Sequence, residues 1–318
     1  MGWVLLALFC LVLAAPARAE YYPERPVRLV VPYPVGASGD LVARLVARPM
    51  ARAWGQPVVI DNRPGGAGIA ATAAVARARP DGYTLLLTGL NHVANPGLFP
   101  NLPFDTEQDF SAISLLGVVD TVLLVEPDSG IHDLRSLIRT AQALPGELRY
   151  GSSGIGSGDH LVMELFARLA DIRLEHVPYR GAPQALADLL GGRVQLLFTG
   201  VPPALPLIQE GRLNALLVGG SRRSPTLPGV PTAQEAGLRD FDVEIWFGLL
   251  GPAGMQPWVM RTIAEEAARS MAGPEVRSRM RRQGITPVGS GPGEFTTVIA
   301  RDLERWSRLI RDSSIRAE

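Results

Sequence analysis

The sequence contains no lysine and only one cysteine, although it has 318 residues. All 31 basic residues are therefore arginine. Without lysine, the chain has no P-loop lysine, no Schiff-base nucleophile and no lysine general base. The single cysteine, Cys10, lies in an apolar N-terminal run. The rest of the chain has no cysteine, so it cannot contain thiol nucleophiles, disulfides or zinc–thiolate sites.

The sequence also lacks an excess of either charge. It has 31 basic and 31 acidic residues, which excludes the basic footprint of nucleic-acid binding and a polybasic membrane patch. The four histidines, His92, His132, His160 and His176, do not show the i, i+4 spacing of a helical metal pair. We therefore expect no metal, no cofactor and no nucleic-acid partner.

The N-terminal residues resemble an export signal. Gly2 to Ala15 is an almost unbroken apolar run, and Ala17-Arg18-Ala19 after it matches a small-x-small cleavage site. The run is short for a membrane span, which needs about 20 apolar residues. We predict a signal peptide at residues 1–19 with cleavage after Ala19. The alternative is an uncleaved N-terminal anchor.

After this segment, strand and helix patterns alternate, which predicts α/β layers. A β-branched strand at Val27–Val31 precedes a Gly-rich loop and an amphipathic helix that ends near Trp54. We expect Pro49 to bend or shorten that helix. The pattern restarts with a strand at Leu148–Tyr150, a Gly/Ser-rich loop and a helix from Leu161 to Ala170.

The two stretches contain similar segments. Gly36–Val42 resembles Gly156–Val162, and each segment follows a strand and opens an amphipathic helix. Chance similarity of Gly-rich loops is one interpretation. The other is one unit used twice, which predicts two α/β lobes.

Two apolar extended segments, Thr121–Glu126 and Glu244–Gly251, are candidates for the connections between lobes. We predict lobe 1 at residues 20–123 and 244–318, and lobe 2 at residues 124–243. Ligands bind beyond the carboxyl ends of strands in open α/β sheets. Two lobes that face this way enclose a cleft with a hinge at the crossings.

The helix starts at the cleft are candidate anion sites, because their free N–H groups and partial positive charge favour anions. In the first loop we expect Ser38 or Asp40 to be the N-cap. The second loop adds the hydroxyls of Ser152, Ser153 and Ser157. Two such ends suit a molecule with two carboxylates. Ordinary helix capping is the equally open alternative.

Enzymatic interpretations find less support. No serine has the G-x-S-x-G pattern of a nucleophile elbow. A secreted hydrolase that uses Ser153 or Ser157 with His160 remains the main alternative. Asp40 and Asp159 resemble a general acid/base pair, but their place at helix starts favours capping.

The order of short motifs resembles the Bug family, the periplasmic receptors of tripartite tricarboxylate transporters. The resemblance covers nearly all of the chain after the signal peptide. The motifs that carry it are Tyr22–Val27, Val31–Gly36, Asp61–Gly65, Pro80–Leu85, Leu102–Asp105, Tyr150–Ser157, His160-Leu161, His176–Gly181, Leu227–Thr232, Glu235–Gly237 and Trp246–Gly248.

The resemblance implies a type II periplasmic-binding-protein fold: two lobes, a central cleft and two crossover segments. It implies a monomer that is not an enzyme, captures a small mono- or dicarboxylate in the periplasm and delivers it to membrane permease subunits. A role in signalling is the alternative to transport. The implied ligand-binding residues are Tyr33, Val35, Gly36, Ala37, Ser38, Asp40, Thr88, Gly89, Asn91, Ser152, Ser153, Ser157, His160, Tyr179 and Thr199.

One implied site residue departs from the family pattern. Many members carry Asp after the strand that ends at Phe198, where this chain has Thr199. Because Thr199 offers no charge to an ammonium group, we expect a simple carboxylate to bind better than its amino analogue.

Overall fold

Eleven strands and ten α-helices form the part of the chain that the structure describes, residues 21–313 of a computed structural model. The predicted signal peptide at residues 1–19, its cleavage after Ala19 and Cys10 lie outside the described residues. The strands are β1 (Val27–Val31), β2 (Val58–Asn62), β3 (Thr84–Gly89), β4 (Phe110–Val119), β5 (Thr121–Val125), β6 (Arg149–Ser152), β7 (Glu175–Pro178), β8 (Leu196–Gly200), β9 (Asn214–Val218), β10 (Ile245–Pro252) and β11 (Ile285–Pro287).

The helices lie between the strands, as the alternating pattern predicts. Within residues 21–313, no helix combines the length and the apolar character needed to cross a bilayer. The helices are α1 (Ser38–Trp54), α2 (Ile69–Ala76), α3 (Leu90–Leu98), α4 (Leu134–Ala143), α5 (Gly158–Leu169), α6 (Ala182–Leu190), α7 (Val201–Gln209), α8 (Pro257–Ala272), α9 (Pro274–Arg282) and α10 (Pro292–Ser313).

The strands pair into two separate sheets. The first has the order β11-β4-β10-β3-β1-β2 and the second β7-β6-β8-β5-β9. In each sheet three strands are parallel: β3-β1-β2 in the first and β8-β6-β7 in the second. An antiparallel strand, β10 or β5, follows at the equivalent edge of each trio. The prediction of one unit used twice is therefore confirmed, and each sheet forms the centre of one lobe.

The chain passes between the sheets twice. β4 ends at Val119 and β5 begins at Thr121, so only Asp120 separates strands of different sheets. The return runs through residues 219–244, between β9 and β10. The two passages touch, because the Thr121 hydroxyl donates to the Val243 carbonyl at 3.2 Å. Adjacent passages of this kind are typical of a hinge.

Both segments that we predicted as connections contain strands, β5 and β10. The predicted lobe boundaries at 123/124 and 243/244 stay a prediction. The change of sheet at Asp120 lies a few residues before the first of them.

Helix α1 shows how burial overrides local preference. Its spacing buries Val42, Leu45, Val46 and Met50 against the first sheet. The helix continues through Pro49 to Trp54, so the expected shortening does not occur. A proline inside a helix costs about 3 kcal/mol, whereas burial of a large apolar side chain contributes about 1.5–3 kcal/mol. Met50 and Trp54 together therefore offset the proline.

The last helix, α10, is tied to the first sheet by a buried hydrogen bond. Phe295, Ile299 and Ile310 are buried on its apolar face. The indole N–H of Trp246 on β10 donates to Asp302 at 2.7 Å, and Asp302 is only 5% exposed.

His92 is a buried imidazole of lobe 1. Its Nε2 lies 3.2 Å from the Thr106 carbonyl, and its ring meets Phe110 edge-on at a centroid distance of 5.0 Å. Burial lowers the pKa of His92 to about 4, although the hydrogen bond to Thr106 acts in the opposite direction. The ring is therefore neutral in the folded protein at neutral pH.

The first testable prediction concerns the indole bond. Asp302→Ala leaves the buried Trp246 N–H without an acceptor, so we expect the free energy of unfolding to fall by about 1–3 kcal/mol. Glu304→Ala on the same helix removes an exposed pair with Arg308 and should change it by less than about 1 kcal/mol. Urea unfolding of both variants measures the difference. Equal effects would contradict this role of Asp302.

The second prediction concerns pH. The pKa of His92 is about 4 in the folded state and about 6.5 when unfolded. The contribution of the buried neutral ring to the free energy of unfolding is complete above pH 6.5, and it is lost as the pH falls towards 4. Between pH 7 and pH 5 this amounts to about 2 kcal/mol. His92→Gln should remove that part of the pH dependence, whereas His132→Gln, at an exposed position, should keep it. Urea unfolding of wild type and both variants at pH 7 and pH 5 measures this pH dependence, and a His92→Gln variant that keeps it would contradict the prediction.

Candidate functional site

Two adjoining cavities lie between the lobes. The outer cavity has a volume of about 380 Å³ and the inner one about 60 Å³. Both are lined from the two lobes, and six residues line both: Tyr33, Ala37, Asn91, Ser153, Ser157 and Gly158.

Helix α1 reaches the inner cavity with its first turn, where Ser38 and Gly39 form part of the wall. The N–H groups of a first turn have no intrahelical acceptor. The N-cap is Ala37, and it has no side-chain capping bond. The expectation that Ser38 or Asp40 is the N-cap is therefore wrong, because both residues lie inside the helix.

Asp40 instead ties the loop to the helix. Its carboxylate accepts from the Gly36 N–H, the Arg44 guanidinium and the Asn62 amide, each at 3.0 Å. Burial raises the pKa of Asp40, but the bonds from Arg44, Gly36 and Asn62 outweigh it and hold the pKa below its usual range. Asp40 is a paired structural anion, and its bond occupies the Gly36 N–H that we expected to face a ligand.

Helix α5 reaches the same cavity from lobe 2. Ser157 is its N-cap and accepts from the His160 N–H at 3.3 Å. His160 Nδ1 in turn accepts from the Gly156 N–H at 3.2 Å. His160 therefore plays the part in lobe 2 that Asp40 plays in lobe 1, four residues after a glycine with positive φ in both cases.

The two loops therefore correspond position by position in three dimensions, from the glycines with positive φ through the N-caps Ala37 and Ser157. This correspondence exposes one difference. The counterpart of Gly39 in lobe 2 is Asp159. A Cβ at Gly39 would overlap the rings of Tyr33 and Phe247, so the first turn of α1 stays bare. On α5 the same position carries a carboxylate that lines the inner cavity.

Asp159 is 7% exposed and accepts a hydrogen bond from the Ser153 hydroxyl. Burial raises the pKa of Asp159 to about 6, although the hydroxyl and the N–H of Ser153 act in the opposite direction. The phenol of Tyr33 lies close enough to be affected. Its pKa is raised by its own burial and then by the negative charge of Asp159.

Behind α5, three rings stack in the order Tyr150, His176, His160. The centroid distances are 4.8 Å between Tyr150 and His176 and 4.1 Å between the two imidazoles. Burial lowers the pKa of His160 to about 4, and burial followed by repulsion from His160 lowers that of His176 to about 3. Ser152 Oγ lies 2.7 Å from His176 Nε2. This neutral stack supports the loop from behind and does not line either cavity.

Lobe 1 supplies a hydrogen-bonded wall. The Tyr33 hydroxyl donates to the Asn91 amide oxygen at 2.6 Å, and Asn91 Nδ2 donates to the Ala67 carbonyl at 3.0 Å. These two hydrogen bonds hold the loop at residues 65–68 against α3. The loop lies in the outer cavity, where its four residues form part of the lining.

The structure brings together eight of the fifteen predicted site residues at the cavities. They are Tyr33, Ala37, Ser38, Asn91, Ser153, Ser157, Tyr179 and Thr199. Their contact with a ligand stays a prediction.

The other seven do not line either cavity. Val35 is 66% exposed, whereas Thr88 and Ser152 are fully buried. Gly36, Asp40 and His160 are engaged in the loop bonds described above, and Gly89 packs against Tyr33 and Trp246.

Sequence reasoning missed several lining residues, above all Asp159 as a cleft residue. The signal was present, because an acid stands where the aligned first unit has a glycine. The loop at residues 65–68 follows β2 and lies at a strand's carboxyl end, where ligands bind. The remaining missed residues are Pro32, Pro34, Gly39, Leu90, Phe99, Gly154, Ile155, Gly158, Pro178, Arg180, Ala182, Gly200, Ile245 and Phe247.

Comparison with known proteins places this architecture in a family. Residues 42–315 match the model of the tripartite tricarboxylate transporter family receptor, TctC. The chain is 36% identical over 301 residues to a UPF0065 protein of Pseudomonas sp. strain P51, a match that covers 94% of this chain and 90% of the relative. It is 35% identical to BugT of Bordetella pertussis, over 95% and 93% of the two chains.

Solved structures agree in fold. An R. palustris protein with adipate has a TM-score of 0.90 at 30% identity, and covers 93% of this chain and 100% of that one. The periplasmic binding protein BugD reaches 0.89 at 29% identity, with the same coverage. MatC from Rhodopseudomonas palustris, with bound malate, reaches 0.86 at 32% identity over 91% and 100%.

The predicted two-lobed periplasmic-binding-protein fold is thus confirmed, and the relatives are binding proteins rather than enzymes. The match covers most of the chain and the fold agrees throughout both lobes, so this protein belongs to the Bug family of tripartite tricarboxylate transporter receptors.

Proposed function

We propose that this receptor closes on a small carboxylate whose anionic group binds at the first turn of α1. The bare turn at Ser38 and Gly39 is the observation that carries this proposal. It offers N–H groups without intrahelical acceptors, at the positive end of a helix, in a cavity between the lobes. The adipate and malate of two structural neighbours are both carboxylates.

Magnitudes support such a site without lysine. A helix end contributes about 0.3–2 kcal/mol to anion binding, and each charge-assisted hydrogen bond adds about 1.5–3 kcal/mol. Micromolar affinity needs about 8 kcal/mol. Two or three bonds from the first turn and nearby hydroxyls such as Ser157 and Thr199 therefore come close to that value.

The outer cavity takes the body of the ligand. Its volume of about 380 Å³ lies within the usual range of small-molecule sites. Phe99, Ile155, Pro178 and Tyr179 contribute apolar surface to it, and Arg180 contributes the guanidinium. An uncharged body, or a body with one more anionic group at Arg180, fits this lining.

Contacts across the cleft support a closed state. A Cβ at Gly181 of lobe 2 would overlap the ring of Pro34 in lobe 1. A Cβ at Gly156 would likewise press on Leu98 of lobe 1. We propose that the lobes open about the crossings at Asp120 and residues 219–244, and that ligand favours the closed form.

The hydrolase alternative finds no support in the hydrogen bonds. The Ser153 hydroxyl donates to Asp159 rather than to a histidine. Ser157 accepts from the backbone of His160, whose Nδ1 is occupied by Gly156. Ser152 does pair with His176, but it is fully buried outside the cavities. We therefore propose binding without catalysis.

Family membership implies a place for the receptor outside the cytoplasmic membrane. We propose export through the predicted signal peptide, cleavage after Ala19, a monomeric receptor and delivery of the ligand to the membrane permease subunits. A signalling role through the same closed state is the alternative, and a growth assay with a permease deletion separates the two.

The third prediction tests the charge requirement. In a thermal-shift screen of mono- and dicarboxylates, those that bind should raise the melting temperature, and their methyl esters should not. A ligand at one hundred times its Kd stabilises the folded state by about 2.7 kcal/mol. Esters that stabilise as well as the free acids would contradict the anion site.

The fourth prediction tests closure. Gly181→Ala places a methyl group against Pro34 and should weaken ligand affinity by about tenfold, about 1.4 kcal/mol, because the closed form becomes less favourable. Gly191→Ala, at the other end of α6, meets only ordinary contacts and is the control. Both variants should unfold like wild type in urea without ligand.

Small-angle scattering completes this test. Wild type should become more compact with saturating carboxylate, and Gly181→Ala should do so less. An unchanged radius of gyration in wild type at saturation would overturn the closing mechanism.

A further inference from the structure

The two ends of the inner cavity differ in the charge that they present. At the lobe 1 end, Ser38 and Gly39 present the bare first turn of α1. At the lobe 2 end, the aligned turn of α5 carries Asp159, which is 93% buried and lines the same cavity. One end therefore accepts an anion, and the other already holds one.

Asp159 has no cationic partner among the residues that surround it. Its hydrogen bonds come from Ser153 and it lies in the first turn of α5. Within the described part of the chain, every other residue that lines the inner cavity is uncharged. These uncharged residues come from every element that surrounds the cavity: the β1–α1 and β6–α5 loops, the helices α1, α3, α5 and α6, and the strands β8 and β10. Those with polar side chains are Tyr33, Ser38, Asn91, Ser153, Ser157 and Thr199.

A buried anion of this kind discriminates between ligands. A second carboxylate brought next to it meets repulsion and loses hydration without compensation. An ammonium group at the same place forms a charge-assisted hydrogen bond and neutralises the buried charge. Although burial raises the pKa of Asp159, the value of about 6 leaves the group ionised above neutral pH.

We propose that the ligand is an α-amino acid, whose carboxylate binds the first turn of α1 and whose ammonium group binds Asp159. This inference rests on the carboxylate-receptor function proposed above and specifies the ligand class. The two charged groups of an α-amino acid lie on one carbon atom, which suits a cavity of about 60 Å³. The side chain then lies in the outer cavity.

This assignment reverses the expectation drawn from Thr199. That expectation held that the chain lacks an acid for an ammonium group, since position 199 is not Asp. Thr199 and Asp159 line the same cavity from different elements, β8 and α5. Asp159 therefore supplies the charge that position 199 does not.

The test uses matched pairs in calorimetry at pH 7.5. Each pair is an L-amino acid and its deaminated acid: alanine and propionate, leucine and 4-methylpentanoate, phenylalanine and 3-phenylpropionate, aspartate and succinate, glutamate and glutarate. In wild type we expect at least one amino acid to bind tenfold or more tightly than its partner. Asp159→Asn should lower that ratio by at least tenfold, because the amino acid loses its charged partner, and it should not weaken the affinity for the deaminated acid, because the repulsion from Asp159 is removed.

Asp133→Asn is the matched control. Asp133 is also an acid at a helix start of lobe 2, but it caps α4 at an exposed position, and Asn caps a helix equally well. This variant should keep the wild-type ratio. Circular dichroism and urea unfolding confirm that both variants fold.

Four results overturn the inference, and they are distinguishable. If deaminated acids bind as tightly as their amino acids in every pair, or if Asp159→Asn leaves the ratio unchanged, the amino-acid assignment fails and the carboxylate receptor stands. Uptake of one proton with a deaminated acid, measured in buffers of different ionisation enthalpy, would show that Asp159 acts as a neutral acid. If no member of any pair binds, the proposed function itself fails.

Discussion

The start of a helix leaves N–H groups that must find acceptors, and this constraint organises the cleft. Helices α1 and α5 begin at the same cavity from opposite lobes. Inside a protein, unsatisfied donors cost about 1–3 kcal/mol each. Lobe 2 meets part of the need from within, because the hydroxyl of the N-cap Ser157 accepts from the His160 N–H. Lobe 1 uses Asp40 for Gly36 and leaves the first turn of α1 to the cleft.

Two sheets that share the order of four strands, β10-β3-β1-β2 in one and β5-β8-β6-β7 in the other, make this arrangement possible. Each places a parallel trio so that the loop after its central strand, β1 or β6, opens a helix at the carboxyl edge. A crossing through the single residue Asp120 keeps these edges face to face and leaves little slack for sliding. The closing motion that we propose is therefore a rotation about the paired crossings, which leaves both sheets intact.

Sequence patterns predicted the larger features correctly. Periodicity located the strands β1 and β6 and the helices α1 and α5 within a few residues, because each buries a continuous apolar face. The repeated unit was visible because its two loops are similar and each opens a helix after a strand. The family motifs led to the right fold and receptor class, since so many occur in the right order.

Side-chain pairing was less predictable. Asp40 and Asp159 both stand at helix starts, and the sequence assigned both to capping. Their different surroundings depend on partners distant in sequence, such as Asn62, 22 residues after Asp40. His160 looked like a ligand or catalytic group beside serines. Its ring is instead fixed by the Gly156 N–H and by a stack with His176, 16 residues away, whose strand pairs beside β6 only in the folded sheet.

The pair of aligned positions, Gly39 and Asp159, shows how one unit used twice yields a polar cleft. A repeat whose two helix starts were both bare would suit two anionic groups equally well. Tyr33 and Phe247 prevent any side chain at residue 39, whereas the corresponding space in lobe 2 admits a carboxylate. Burial then penalises the charge of Asp159, which makes that side of the cavity favour whatever neutralises it. In the binding mode that we propose, the direction in which the ligand lies between the lobes thus follows from steric exclusion in one lobe and from an uncompensated charge in the other.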